Sequence, residues 1–460
     1  MAEPVSHGAA HALAGSPGPS SVSRRAGWGL AVSAAAMELL YVLVLRLGNL
    51  KEHVETFLAL ILLLGILYFV SFWLVEKIAA RRSWLIFLFL SAGAFRLTLF
   101  PLYPSLSDDL YRYRWEAKAQ QAGYNPYLVH PSDPALVHLR DETYPAVSGP
   151  QYSTLYGPLL EEVFWVTFIF TSHPVAMKVP FVLFDLGIVL LLFRLLPAMG
   201  LSPLRAVIYA WSPLVVVEFA ASGHNDSLPI FAFVLALVCW ERRRSALSVA
   251  SMAASALSKV YAVFLLPVFL MRAGWRLIWI PAVLAAVAMA PYREAWSPLF
   301  ASLSDYAEHW RNNASLYVLI GGFTGSDQQT RGIYLLVIGV AMLYGLARRL
   351  HPQRASFLIL GTVLLFAPNV FPWYLTWILP LLAIYPNPAW LLLTVSVFLS
   401  YHVLIPYRTL GLWREETLYT LVEYVPFYSL LVGGYLMAVV RRRFVGKEES
   451  VMDADLTRGA

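Results

Sequence analysis

The chain has 460 residues, of which 59% are hydrophobic and only 13% charged. Soluble domains carry about 25% charged residues, so an ordinary soluble protein is excluded. The formal charge of +6 does not point to nucleic acid, because the excess lies largely in arginine clusters at the ends of apolar runs, where it orients a membrane protein. The single cysteine, Cys239, excludes an intramolecular disulfide, and its place in an apolar run suits packing.

In chain order, residues 1–26 are rich in Ala, Gly, Ser and Pro, with Arg24 and Arg25 before the first apolar run. They read as a disordered cytoplasmic tail; a cleaved signal peptide fits less well, because the apolar region starts late and runs long. Apolar runs follow at 28–47, 55–75, 84–103, 175–193, 204–220, 228–240, 246–271, 275–291, 332–347, 355–370, 373–385, 389–405 and 417–440. Their lengths suit helices of about 17–25 residues, and they lack the alternation of an outer-membrane barrel. The expectation is an all-α polytopic membrane protein with roughly 12–14 transmembrane helices. One membrane domain would span 27–443, with a large first extracytoplasmic loop and interfacial helices at 104–174, and a disordered cytoplasmic tail at 444–460. No repeat relates the two halves.

Basic clusters set the orientation. Lys77/Arg81/Arg82, Arg242-Arg243-Arg244, Arg348/Arg349/Arg354 and Arg441-Arg442-Arg443 predict cytoplasmic ends. Segments 108–158, 223–226, 292–314 and 369–374 then fall on the opposite side. This parity requires 246–271 to break at Lys259, and 159–170 to lie along the interface without crossing.

The chemistry concentrates where the run 84–103 ends. Ser107-Asp108-Asp109-Leu110-Tyr111-Arg112-Tyr113-Arg114-Trp115-Glu116 places two adjacent carboxylates, two arginines and three aromatics at the end of a span. A carboxylate there can take a proton from a sugar hydroxyl, and arginines can hold a phosphate. Ser107 is a plausible N-cap with both aspartates in the first turn; Asp109, Arg112, Tyr113 and Glu116 would then share a face. Capping and i, i+3 pairing alone is the other reading.

Further candidates come later in the chain. Lys259, in Ser258-Lys259-Val260-Tyr261, interrupts an apolar run, where an ionisable residue marks a functional site or a snorkelling helix end. His224 and Asp226, in Ser222-Gly223-His224-Asn225-Asp226-Ser227, either meet sugar hydroxyls or only cap a helix. Trp373 and Tyr374 follow Pro368 and Pro372, which break a helix and free backbone groups to line a cavity. His309 and Arg311 lie in His309-Trp310-Arg311-Asn312-Asn313; an aromatic belt is the alternative for both tryptophan segments. Lys178 and Asp185 start the run at 175–193, and for Asp185 an ion pair across helices is expected. No metal-ligand set, CxxC or phosphate-binding loop is present, and no cofactor is implied.

These elements together resemble the polyprenol-phosphate-mannose-dependent mannosyltransferases of the GT-C superfamily, bacterial α-mannosyltransferases among them and, more distantly, the eukaryotic GPI mannosyltransferase I. The resemblance rests on an ordered set: residues 107–115, Gly123-Tyr124-Asn125-Pro126-Tyr127, Leu155-Tyr156-Gly157-Pro158-Leu159, Gly223-His224-Asn225-Asp226, Ser258-Lys259-Val260-Tyr261, His309-Trp310-Arg311-Asn312 and Pro372-Trp373-Tyr374-Leu375. It implies a GT-C fold in the bacterial inner membrane, with the active site on the extracytoplasmic side. It also implies a catalytic acid at Asp109 or Asp108 and transfer of a sugar, mannose first, from a polyprenyl-phosphate donor to a glycan or lipid acceptor. Lys259, Arg112 and Arg311 are then the cations expected at the donor phosphate. Glu116-Ala117 departs from the usual Asp-Gly, and Tyr156-Gly157-Pro158 from the usual Tyr-Pro-Pro. The rival class is a transporter or flippase of lipid-linked sugars, which broken helices and an intramembrane lysine also suit.

Overall fold

The computed structural model describes residues 21–458, with side chains described over 22–437. Of the tail expected at 1–26, residues 1–20 lie outside the described residues, and helix α1 begins at Ser21. Of the tail expected at 444–460, the side chains lie outside the described ones.

Three long helices, α1 (Ser21–Leu47), α2 (Val54–Val75) and α3 (Arg82–Leu99), pack together. Next come α4 (Asp109–Gln121) and α5 (Pro158–Phe170), which pack on each other. Then follow α6 (Val179–Ala198), α7 (Val207–Ala210), α8 (Pro213–Val216), α9 (Ser227–Glu241), α10 (Ser245–Ala256), α11 (Leu266–Ala273) and α12 (Trp279–Met289). The chain continues through α13 (Trp296–His309), α14 (Leu316–Thr324), α15 (Asp327–Ala347) and α16 (Pro352–Phe366). It closes with α17 (Leu379–Ile384), α18 (Pro388–Ser396), α19 (Leu404–Leu410) and α20 (Thr417–Arg458).

Six helices among the described residues are long and apolar enough to cross a membrane, or seven if a bent pair, Pro203–Ala210 with Pro213–Ala221 at 56°, is one span. Ser227–Glu241, Ser245–Ala256, Val260–Ala273, Trp275–Met289 and Pro352–Phe366 are shorter apolar helices. The protein is thus an all-α polytopic membrane protein. Its full-length spans are fewer than its apolar runs because several runs are broken. The run 246–271 becomes α10, an extended Lys259 (φ −146°, ψ 138°), a 3-10 turn and α11. Helix α5 has 13 residues, about 20 Å of helix at 1.5 Å per residue, against a hydrocarbon core of about 30 Å.

Two buried cations of the core have their bonds met by the fold itself. Arg96 Nε donates to Asp185 Oδ2 at 2.6 Å, and both side chains are fully buried. The same guanidinium donates to Ala210 O at 2.7 Å, tying α3, α6 and α7 together. Asp185 thus makes a cross-helix ion pair, and its partner is Arg96. Lys178 instead donates to the carbonyls of Leu102 (2.7 Å), Ala220 (2.7 Å) and Ala221 (3.2 Å). Those carbonyls lie at helix ends or breaks, where no intrahelical donor is left for them.

The loop 104–158 is folded over α4. Trp115, Leu136 and Val147 form a small apolar cluster, with 3-10 turns at Pro134–Leu139 and Tyr144–Ala146. Asp141 anchors it, accepting from Lys118 Nζ at 2.6 Å and Arg114 Nη1 at 2.9 Å. Burial raises the Asp141 carboxyl, but hydrogen bonds from Lys118, Thr143 and Arg114 outweigh it and hold it well below the usual range. On the other face, Tyr113 stacks on Phe164 at 4.6 Å, which fixes α4 to α5.

Candidate active site

A cavity of about 250 Å³ opens at the head of α4. Its wall is built from Lys51, from Asp108, Asp109 and Arg112 of the α4 start, and from Ser148–Tyr156 of the folded loop. The far side is built from Lys259, from Tyr306, Trp310 and Asn312, from Trp373 and Tyr374, and from Tyr401, Tyr407 and Trp413. Three of the four segments expected on one membrane face, 108–158, 292–314 and 369–374, therefore meet at one hollow, and 223–226 lies behind its wall.

The helix start decides which carboxylate points where. Asp108 is the N-cap and makes no side-chain cap bond, while Ser107 Oγ accepts from the Asp109 N–H at 3.3 Å. The cap falls one residue later than Ser107, because the Ser107 hydroxyl forms a local turn to the second residue on. Asp108 then swings toward Lys51, 3.8 Å away. Asp109 keeps 27% of its side chain open to the cavity. Burial nevertheless pushes its carboxyl up to about 6; Lys259 pulls the other way, Asp226 and Asp108 add to the rise, and Arg112 opposes it.

Arg112 spends its donors on the loop. It binds the carbonyls of Ser148 (3.2 Å), Gly149 (2.8 Å) and Tyr152 (2.7 Å), and its Nε donates to Glu116 Oε1. Glu161, fully buried, accepts from Thr154 Oγ1 at 2.6 Å and Gln120 Nε2 at 2.8 Å. Burial, with Glu116 nearby, holds its carboxyl well above the usual range.

Lys259 reaches the cavity from the break after α10. Its ammonium donates to Asp226 Oδ2 at 2.6 Å and Asn225 Oδ1 at 3.0 Å, and Trp377 Nε1 donates to Asp226 Oδ1 at 2.6 Å. The 222–227 turn fits because Gly223 has φ +77° and a Cβ there would sit 2.6 Å from Lys178 Cγ. His224 is buried behind the wall and stacks on Trp373 at 3.8 Å.

Residues 20–274 match the family model described as alpha-(1->6)-mannopyranosyltransferase, N-terminal domain, and residues 329–437 match the MptB C-terminal domain. The chain belongs to the alpha-(1->6)-mannopyranosyltransferase family. No curated protein gives a significant match. The protein is accordingly a glycosyltransferase, a mannosyltransferase that works on a sugar donor and an acceptor, and the transporter reading is set aside. Asp108, Asp109, Lys259, Trp373 and Tyr374 lie within the two matched regions.

Of the residues singled out in the sequence of this mannosyltransferase, Asp108, Asp109, Arg112, Lys259, Trp373 and Tyr374 line the cavity. Asp226 and His224 stand directly behind Lys259 and Asp109, and Glu116 behind Arg112. Lys178, His309 and Arg311 are not part of the wall. His309 is exposed with Nδ1 2.9 Å from Asp305 O, and Arg311 pairs with Asp327 at 2.5 Å. After α13 the chain is extended at Trp310 (φ −85°, ψ 124°). Successive side chains then alternate, so Trp310 and Asn312 face the cavity while His309 and Arg311 face away.

Lys51, Tyr152, Tyr306 and Tyr401 also line the wall and were not singled out. Lys51 could have been found by parity, since its turn between the first two apolar runs lies opposite the Lys77/Arg81/Arg82 end. Glu218 was likewise passed over. It is an acid inside the apolar run 204–220, and an ionisable residue in such a run is a functional signal in itself.

Proposed function

We propose that this mannosyltransferase moves mannose from a polyprenyl-phosphate donor to an extracytoplasmic glycan or lipid acceptor, with inversion, in the bacterial inner membrane and on a GT-C fold. The observation that carries the reading is Asp109: a carboxylate poised near neutrality, open to a cavity that also holds Lys51 and Lys259. A general base works best when its pKa lies near the working pH.

In this reading the acceptor oxygen attacks the anomeric carbon, and its proton goes to Asp109. The bond from that carbon to the phosphate oxygen breaks, and its electron pair leaves with the polyprenyl phosphate. Charge grows on the phosphate, so fixed cations lower the barrier. Lys259 and Lys51 serve there. Arg112 holds the loop that closes the site, and Arg311 is relieved of the phosphate role. Trp373, Tyr374 and Trp310 offer faces for sugar rings, while Val403, Leu404, Tyr407 and Trp413 give one end of the cavity an apolar lining suited to a prenyl chain. The basic clusters at the other span ends support an extracytoplasmic site.

The test is turnover by purified protein on a panel of polyprenyl-phosphate sugars, with the anomeric configuration of the product determined. Transfer from the mannosyl donor with inverted configuration supports the reading. Use of nucleotide sugars alone, or retention, overturns it.

A further inference from the structure

His224 stands between two carboxylates. Its Nδ1 lies 3.6 Å from Asp109 Oδ2 and its Nε2 lies 3.3 Å from Glu218 Oε2. The ring is almost wholly buried and held flat against Trp373, and neither nitrogen makes a hydrogen bond among the described residues, so the two carboxylates are the groups each nitrogen faces. Glu218 is fully buried, accepts from Tyr401 Oη at 2.9 Å through its other oxygen, and no lysine or arginine pairs with it among the described residues. The other charged groups in the neighbourhood are Lys259 and Asp226, from the half-helix break and the ring's own turn, with Asp108 and Arg112 flanking Asp109.

A neutral imidazole has one N–H and one acceptor nitrogen. It cannot donate to two ionised carboxylates, and an orphaned buried donor or acceptor is costly. An imidazolium would bridge both carboxylates, but burial, with Lys259 nearby, holds the His224 ring well below the ordinary imidazole range and so neutral; one of the two acids therefore carries a proton. Asp109 opens to the cavity with Lys259 and Arg112 close by, whereas Glu218 is fully buried with Tyr401 and His224 as its polar neighbours and no lysine or arginine paired with it among the described residues; a buried acid without a cation is stable as the neutral form.

We propose that Glu218 stores this proton and, through His224, positions the base. Glu218 O–H donates to His224 Nε2, which forces the ring proton onto Nδ1, and Nδ1–H donates to Asp109. Asp109 stays ionised and aimed, ready for the acceptor hydroxyl. With the proton on Asp109 and the tautomer reversed, the same two protons are present and the base is blocked. Glu218 and His224 act through Asp109 and are positioning residues. The inference rests on Asp109 as the base.

The experiment compares Glu218→Gln, Glu218→Met and His224→Phe with wild type, in purified protein checked for folding by thermal unfolding. The readouts are kcat, donor KM and the acid limb of kcat against pH. Gln keeps an N–H that can donate to Nε2, so Glu218→Gln retains kcat within about threefold and keeps the acid limb in place. Glu218→Met loses the O–H that holds the ring proton on Nδ1, and His224→Phe loses the donor facing Asp109 itself. Each lowers kcat about tenfold or more, a part of what general-base help supplies, and moves the acid limb to higher pH with donor KM little changed. Phe keeps the stacking on Trp373, so a loss confined to packing leaves the limb where it was. An unmoved limb in folded His224→Phe, or equal losses in Glu218→Gln and Glu218→Met, overturns the proposal while leaving the base assignment standing. Asp109→Asn is measured beside them: an active Asp109→Asn overturns the base and the positioning unit together.

Discussion

The N–H of Gly157 donates to the carbonyl of Ser258 at 3.1 Å, so the folded loop is stitched to the backbone just before Lys259. A Cβ at position 157 would sit 2.1 Å from the carbonyl oxygen of Leu257 and 2.7 Å from its carbon. Only glycine permits this approach, and proline would also forfeit the hydrogen bond. The departure from Tyr-Pro-Pro at this point is therefore built into the fold. Gly157→Ala must push the loop off the break. It is expected to cost about 1–3 kcal/mol, as overpacking does, and to lower kcat by displacing Lys259 from the cavity. Thermal unfolding and turnover measure the two effects; a variant equal to wild type in both would refute the contact.

The second prediction concerns pH. As the proposed base, Asp109 must be ionised to accept a proton, and burial raises its carboxyl to about 6. Turnover is expected to climb as pH rises through about 6 and then level off, and Asp109→Asn is expected to lose about 10²–10⁴ in kcat. The stability effect has the opposite sign. The folded-state value lies above the ordinary carboxylate value, so the folded protein holds the proton more tightly, and this contribution fades as pH rises through the folded value. Asp109→Asn should therefore be less active yet at least as stable as wild type at neutral pH. A pH–rate profile and unfolding curves at two pH values check both signs.

In the proposed mechanism Lys259 serves two partners, the fixed Asp226 and the donor phosphate. Lys259→Met leaves Asp226, fully buried, with the Trp377 N–H as the one donor on its carboxylate among the described residues. The single variant should lose stability and donor affinity together; a charge-assisted hydrogen bond at about 1.5–3 kcal/mol corresponds to roughly tenfold or more in donor KM. Lys259→Met combined with Asp226→Asn should recover stability and leave donor affinity low. Recovery of both would reduce Lys259 to a structural counter-ion.

Arg96 and Asp185 tie α3, α6 and α7 together. Both side chains are fully buried and lie away from the cavity wall. Arg96→Met strands a buried carboxylate and is expected to cost about 3–5 kcal/mol, whereas an apolar pair, Arg96→Met with Asp185→Leu, should recover much of it. The folded fraction of each should keep wild-type donor KM, read by unfolding curves together with kinetics.

Much of the candidate site was legible in the sequence because its residues come as adjacent polar groups at breaks in apolar runs. Asp108-Asp109 after the run 84–103, Lys259 inside an apolar run, and Trp373-Tyr374 between prolines announce themselves: polar groups are costly in hydrocarbon and persist where a cavity or a partner receives them. The all-α polytopic class follows from the same physics, since a chain this apolar must satisfy its backbone bonds within helices.

Orientation and partnership were decided by the tertiary structure. Sequence spacing could not tell that Lys178 would spend its donors on three carbonyls while Lys259 opened to the cavity, because both are single cations among apolar residues. Nor could it tell that Trp310 and Asn312 face in while His309 and Arg311 face out, since that depends on α13 ending in an extended residue. Lys51, Glu218 and Tyr401 lie far in sequence from Asp109, and only packing brings them near it. Local pattern reports where a helix must end and which groups cannot stay in lipid. Which of those groups meet is set by how the helices close around one another, and that is a property of contacts distant in the chain.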